Sequence, residues 1–175
     1  MKSASEIIEK NSFLKGNVEL RLQSDPNDIF HGIVHSNEYF DLTICNPPFH
    51  ASFEEAQSVA LRKLSNLNNK KITKPALNFG GQNSELCYPG GEEKFVQKMI
   101  SQSKNISSSC FWFSTLISRQ SHLKSVYAAL KNANAVEMKT IPMSHGNKTT
   151  RIVVWTYLSQ GQRRKWIDSR WNKML

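Results

Sequence analysis

The stretch that decides the fold is residues 39–49, YFDLTICNPPF. It begins as an apolar run with a single aspartate and stops at a proline. This pattern is typical of a strand buried on both faces, as the parallel strands of α/β proteins are. Residues at the carboxyl end of such a strand stand where open α/β sheets hold their ligands. The first candidates for a functional site are therefore Asn46, Pro47, Pro48 and Phe49.

The segments on either side of this run alternate between helical and strand periodicity. Helices are predicted over residues 5–11, 53–67, 92–103 and 122–132, and further strands over 17–23, 110–117, 135–143 and 151–158. Residues 29–34 are either a short strand or a segment that returns toward the sheet. The last two strands, joined by residues 144–150, form an antiparallel hairpin. The alternation predicts an α/β fold.

Length and charge restrict the class of protein. A chain of 175 residues is one ordinary domain. It carries 23 Lys and Arg against 14 Asp and Glu, a net charge of +9, so an anionic partner such as RNA, DNA or an anionic lipid is expected. No apolar run is long enough for a membrane span and no signal peptide is visible. We expect a soluble, cytoplasmic protein.

Cysteine and histidine are too scattered to predict a metal site. Cys45, Cys87 and Cys110 have no close pair, and we interpret them as buried, reduced thiols. His31 and His35 are four residues apart, but they flank the apolar pair at 33–34, so a strand is favoured over a helical metal face. No metal is expected.

The residue types at 46–49 suit the binding of an aromatic amine. The exocyclic amine of adenine is a weak nucleophile, so an enzyme must hold both of its N–H bonds and leave the nitrogen open to an electrophile. The Asn46 carboxamide oxygen and the Pro47 carbonyl are two acceptors, the second held by the fixed φ of proline. Phe49 offers a flat face on which a flipped base can stack. The alternative is a proline-stiffened strand exit with a buried Phe.

Five segments together resemble one family. They are FDLTICNPPF (40–49), ALNFGGQ (76–82), GGEEKFVQK (90–98), WFSTLISR (112–119) and RIVVWT (151–156). In this order they are similar to the RlmF family, the bacterial adenine-N6 methyltransferases of large-subunit ribosomal RNA. The resemblance implies a Rossmann-like class I methyltransferase fold and S-adenosylmethionine as cofactor. It also implies that Asn46, Pro47 and Phe49 are catalytic.

The resemblance also indicates which part of the family's methyltransferase domain these residues correspond to. In that family a first strand ends in a glycine-rich loop under the cofactor, and a second ends in an acidic residue on the cofactor ribose. Neither feature is found here, so residues 1–175 are expected to be the C-terminal part of a single methyltransferase domain, monomeric at full length. On its own this part is expected to bind cofactor weakly and to be inactive. Residues 162–175 form a basic, aromatic tail that either binds RNA or docks as a terminal helix.

Other residues are weaker candidates, each with a structural alternative. Gln23 and Asp25 resemble the place where such folds, with Asn46, contact the cofactor, but a plain turn is the alternative. The further substrate-binding candidates are Pro48, Asn78, Gly80, Arg119, Lys148 and Arg151. Asn78 and Gly80 belong to a segment that either closes over the base or is a structural loop. The cations either hold RNA phosphates or are ordinary solvated charges.

Two other functions remain open on the sequence alone. A protein glutamine N-methyltransferase can use a similar Asn-Pro-Pro-aromatic motif, although the net charge of +9 and the five segments disfavour it. A basic RNA-binding module without catalysis is the second alternative. Detection of a methylated product separates enzyme from binder, and the identity of that product separates the two enzymes.

Overall fold

The chain folds into two compact units, Met1–Glu38 and Tyr39–Leu175. The computed structural model describes residues 1–68, 86–145 and 148–172, and each unit is described by itself. None of the helices in these ranges combines the length and the apolar character that a bilayer crossing requires.

The first unit contains one helix and no strand. Helix α1 spans Lys2–Glu9, slightly earlier than the predicted 5–11. The predicted strand over 17–23 is wrong. Two of its alternating apolar side chains stay exposed, at 41% for Val18 and 69% for Leu22, because residues 1–38 offer no second strand with which it can pair.

Turns and one arginine organise this unit in place of a β-ladder. Residues 29–34 form turns, in which the Ile33 and Val34 N–H groups both donate to the Phe30 carbonyl. The Arg21 guanidinium donates to the Ile33 carbonyl at 2.7 Å and to the Glu38 carboxylate at 2.7 and 2.5 Å. These bonds hold the pKa of Glu38 at about 2. Side-chain bonds of this kind leave no periodic trace in a sequence.

The second unit is built on a four-stranded sheet among the described residues, with strand order β1-β2-β4-β3. The strands are β1 (Phe40–Leu42), β2 (Cys110–Ile117), β3 (Glu137–His145) and β4 (Lys148–Thr156). β1 and β2 are parallel, and β4 is antiparallel to both of its neighbours. The α/β fold and the final antiparallel hairpin are confirmed.

Three of the four described helices of this unit follow the predicted positions closely, and the fourth covers the start of the basic tail. They are α2 (Phe53–Asn68), α3 (Gly91–Ser103), α4 (Leu123–Asn132) and α5 (Gln160–Trp166). Short 3₁₀ turns lie at Lys104–Ile106 and Gln120–His122, and a π-helical turn spans Ile167–Trp171.

The core of the second unit consists of the apolar faces of α3 and α4 and the central strands. Its members are Val96, Met99, Ile100, Phe113, Val126, Leu130, Val153 and Trp155. The rings of Phe113 and Trp155 stack at 5.6 Å, and the Trp155 indole N–H donates to Ser103 at 3.1 Å. This core makes β2 and β4 the fixed centre of the unit.

β1 differs from the prediction of a strand buried on both faces. Leu42 is 51% exposed and Ile44 is 84% exposed. The reason is the strand's position: among the described residues β1 pairs only with β2, so it is an edge strand of this sheet.

The basic tail docks as a helix at the start of β1. Trp166 is buried and packs with Phe111 and Leu158. Its indole N–H donates to the Asp41 carboxylate at 2.7 Å, and that of Trp171 donates to the same oxygen at 2.9 Å. Because Asp41 and Phe111 lie near the amino ends of two parallel strands, the tail occupies that end of the sheet. The docked helix is the alternative that the structure favours.

Trp166→Ala is expected to lower the free energy of unfolding by about 3–5 kcal/mol, the usual cost of truncating a buried aromatic residue. Urea denaturation measures this loss. Trp171→Ala is the matched control, because Trp171 shares the Asp41 oxygen but is 38% exposed. Equal losses in the two variants would contradict the docking of α5 through Trp166.

Candidate active site

Hydrogen bonds to β2 continue past the end of β1 and bring Asn46 to the edge of the sheet. The Thr43 N–H donates to the Trp112 carbonyl at 3.0 Å, and the Leu116 N–H donates to the Cys45 carbonyl at 2.9 Å. The Ser114 hydroxyl donates to the Thr43 carbonyl at 2.6 Å. The backbone is therefore fixed up to Cys45, and Asn46 is the first residue that leaves the sheet at its carboxyl end.

The four motif residues differ in how far they are buried. Pro47 is buried, whereas Pro48 and Phe49 are half-buried and Asn46 is exposed. Within the described ranges, no hydrogen bond occupies the Asn46 carboxamide. The site thus presents an amide at the sheet edge with an aromatic ring three residues further along the chain.

The chain after Phe49 is tied to residues 86–88. The His50 N–H donates to the Leu86 carbonyl at 3.3 Å and the Tyr88 N–H donates to the His50 carbonyl at 3.0 Å, which forms a parallel bridge with Cys87. The His50 Nδ1 atom is buried and has no partner among the described residues. This bridge fixes the exit from the motif.

The Glu55 side chain contacts both the backbone that follows His50 and Arg119. Its carboxylate accepts the Ala51 N–H at 2.7 Å, and its other oxygen lies 3.5 Å from Arg119 Nη2. The bond from Ala51, with the nearby charges of His50 and Arg119, lowers the pKa of Glu55. A carboxylate at the start of α2 therefore joins the loop after β1 to the loop after β2.

Two glycines bring the start of α3 against the motif. Gly90 and Gly91 have φ values of 85° and 67°, a conformation that other residues rarely adopt. A Cβ atom on Gly91 would lie 3.6 Å from the Phe49 carbonyl oxygen and 3.5 Å from the Ala51 nitrogen. The start of α3 therefore packs on the backbone that follows the motif, and the left-handed φ of Gly91 favours glycine at this position.

Arg119 and Arg151 lie at the same edge as Asn46. Arg119 follows β2 by two residues. Arg151 pairs with Ile117, and its guanidinium donates to the Gln120 side-chain oxygen at 3.1 Å. The sequence did not identify Glu55 or Gln120, because each acts through a contact with a residue far away in the chain.

The β3–β4 hairpin projects beyond the other strands at this edge. Ile117, the last residue of β2, is level with Arg151 and Pro142, and the pairing of β3 with β4 continues to His145 and Lys148. These three further pairs extend about 10 Å at about 3.3 Å per residue. Lys148 therefore lies in a ribbon that projects on the side of Asn46.

Four other candidates do not belong to the described part of the second unit. Gln23 and Asp25 belong to the first unit, where Gln23 Nε2 donates to the His31 carbonyl and Gln23 Oε1 accepts the Asp25 N–H. Asn78 and Gly80 lie outside the described residues. Their roles stay predictions.

The thiols are not all buried as predicted. Only Cys110 is, and burial raises its pKa to about 12. Cys45 and Cys87 are half-buried, because they lie at the exit of β1 and in the bridge to His50, and desolvation raises the pKa of each. In the described ranges, no group of three His, Cys, Asp or Glu is placed to hold a metal ion.

Comparison with known proteins gives relatives over nearly the whole chain. Residues 1–159 match a family model described as RNA methyltransferase. The chain is 53% identical over 169 residues to the ribosomal RNA large subunit methyltransferase F of Cytophaga hutchinsonii, covering 97% of the chain and 52% of that protein. It is 47% identical over 188 residues to the protein of the same name from Photobacterium profundum, covering 98% and 56%. The chain thus spans about half the length of these curated relatives.

Solved structures show the same fold. The human Mettl16 catalytic domain in complex with MAT2A 3′UTR hairpin 1 superposes with a TM-score of 0.73 at 21% identity, over 91% of this chain and 52% of that one. A delta-N METTL16 MTase domain gives a TM-score of 0.61 at 16% identity, over 90% and 57%. The predicted Rossmann-like class I methyltransferase fold is confirmed.

Gly91→Ala is expected to destabilise the second unit by about 1–2 kcal/mol, because a side chain is strained at a left-handed φ. Gly161→Ala is the control: Gly161 lies in α5 with open space around its Cβ position, and alanine there is expected to stabilise by up to about 1 kcal/mol. Urea denaturation measures both. A neutral Gly91→Ala would contradict the geometry of this turn.

Proposed function

This chain belongs to the RNA methyltransferase family, and we propose that it transfers a methyl group from S-adenosylmethionine to the N6 amine of an adenine in large-subunit ribosomal RNA. The observation that carries the proposal is the exposed Asn46 carboxamide at the carboxyl end of β1. The names of the curated relatives support the ribosomal substrate. Such a substrate also favours a cytoplasmic location.

Methyl transfer to this weakly nucleophilic amine requires that the amine be held in a fixed orientation. The Asn46 side-chain oxygen accepts one N–H of the adenine amine and the Pro47 carbonyl accepts the other, which directs the nitrogen lone pair out of the ring plane. Pro48 completes the rigid backbone, and Phe49 stacks on the base. Catalysis of this kind is positioning, and it needs no covalent intermediate on the enzyme.

S-adenosylmethionine supplies an electrophilic methyl group when it is bound. Asn46 fits a place beside it, since the Asn46 carboxamide has no partner within the described ranges. Gln23 and Asp25 fit less directly, because both Gln23 side-chain atoms are used in its own loop and Asp25 Oδ1 accepts the Asn27 N–H at 2.8 Å. Cofactor binding by these two residues would replace the hydrogen bonds that they make within their own loop.

The RNA is held by the cations at the same edge. Arg119 has a side chain that is 57% exposed, which leaves it accessible to a phosphate despite its contact with Glu55. Arg151 and Lys148 follow along β4 toward the projecting ribbon. Phosphate contacts of this kind fix the register of the RNA, while the motif at residues 46–49 receives the flipped adenine.

Asn46→Ala, in the protein at its full natural length, is expected to reduce methyl transfer by about a hundredfold or more, because a misplaced acceptor loses its alignment. S-adenosylmethionine affinity should change little. Transfer of labelled methyl groups to ribosomal RNA, with mass spectrometry of the nucleosides, measures the effect.

Asn105→Ala is the matched control, since Asn105 is exposed in the turn Lys104–Ile106, which precedes β2 at the end of the strands opposite to Asn46. Unchanged turnover in Asn46→Ala would exclude the proposed role. Methylated glutamine in a protein substrate would favour the glutamine N-methyltransferase, and RNA binding without any methylated product would favour the non-catalytic module.

Arg119→Ala is expected to reduce the slope of log affinity against log salt concentration for ribosomal RNA by about 1, the effect of losing one phosphate contact. Arg164→Ala is the control, because Arg164 is 82% exposed but lies on α5 at the opposite end of β1. Filter binding from low to physiological salt measures both slopes. An equal reduction by Arg164→Ala would mean that the RNA footprint is not centred on the edge with Asn46.

A further inference from the structure

A buried carboxylate lies beneath the candidate site. Glu92 is in the first turn of α3 and its side chain is 0% exposed. One oxygen accepts the Ser118 N–H at 2.6 Å, and the other accepts the His122 Nδ1–H at 2.6 Å. A carboxylate can only accept here, so the histidine ring must donate. A carboxylate without such donors would be expensive to bury.

Both donors come from one loop, which connects β2 to α4. Ser118 opens the loop and His122 closes its 3₁₀ turn, so Glu92 fixes it at two points. Arg119 and Gln120 lie between those points. The Arg119 guanidinium is thereby held 3.5 Å from Glu55, and Gln120 accepts a hydrogen bond from Arg151.

The neighbouring residue of α3 supports the other half of the site. A Cβ atom at Gly91 would be in van der Waals contact with the Ala51 nitrogen and the Phe49 carbonyl oxygen, so the start of α3 packs on this stretch of backbone. Two consecutive residues of one helix therefore contact the loop after β1 and the loop after β2. The spacing between the motif at 46–49 and Arg119 is fixed by this helix start.

We propose that Glu92 is a positioning residue that sets Arg119 at the correct place relative to residues 46–49, so that a phosphate and the target base are engaged together. Glu92 itself touches no RNA. The inference rests on the proposed function, because it assumes that Arg119 contacts RNA. It adds to the proposed RNA site a residue, Glu92, whose side chain is buried and does not reach the exposed edge.

The test is a double-mutant cycle with Glu92→Gln and Arg119→Ala, measured as KM and kcat for ribosomal RNA methylation by the full-length protein. Glu92→Gln keeps the size of the side chain and loses its charge. We expect each single variant to raise the KM for RNA about three- to tenfold with kcat changed less than about twofold. The double variant should match Arg119→Ala alone within about twofold, since Glu92 acts through Arg119.

Two further variants keep the test decisive if Glu92→Gln folds poorly. Glu93→Gln is the matched control from the same helical turn and should leave the KM unchanged. His122→Phe keeps a ring, removes one donor, and should raise the KM in the same direction with the same non-additivity. Faster amide exchange at Ser118 and Arg119 in Glu92→Gln is a readout that does not depend on RNA.

The outcomes separate this inference from the proposed function. Additive effects of Glu92→Gln and Arg119→Ala, or a loss confined to kcat, would overturn the positioning role. An Arg119→Ala protein that methylates RNA with wild-type KM would overturn it too and leave the proposed function standing. A wild-type protein that does not methylate ribosomal RNA would overturn both.

Discussion

The first turn of α3 is the constraint on which the candidate site depends. The left-handed φ of Gly91 sets the start of the helix where it packs on the backbone after Phe49, and a buried carboxylate at Glu92 secures the loop after β2. Parallel strands bring their carboxyl ends to the same edge, but pairing alone does not fix the loops that follow them. Here the two loops share one support, so their separation varies little while α3 stays packed on the core.

The two ends of β1 have different tasks. At the amino end, Asp41 accepts both tail indoles and closes the aromatic cluster around Phe111. At the carboxyl end, Asn46 leaves the sheet with its carboxamide exposed. The Asp41 carboxylate is thus hydrogen-bonded at the end that contributes to stability. The Asn46 carboxamide is left available at the end where a ligand is expected. In the described part of the sheet, β1 is thus an edge strand that is anchored at its start and open at its end.

Strong local periodicity made most of the second unit predictable. β2 was predicted at its observed bounds, and α2 differed by a single residue, because both have dense apolar patterns that packing reinforces. The strand over 17–23 failed for the opposite reason: alternation describes a strand only when a partner exists, and Arg21 holds that segment by side-chain bonds instead. Asn46 was found from its motif. Glu92 was missed because a glutamate near a helix start normally faces solvent, and only tertiary structure reveals its distant donors.

The projecting hairpin gives the site a part that can adapt independently. Beyond Ile117 the paired residues 143–145 and 148–150 have no further strand beside them in the described structure. A two-stranded ribbon is marginally stable and twists more strongly than a wide sheet. Opening or twisting of its outer pairs therefore costs far less free energy than disturbing the four-stranded region. Fluctuations of this ribbon can follow the contour of the proposed RNA partner while the register between β1 and β2, and with it the place of Asn46, stays unchanged.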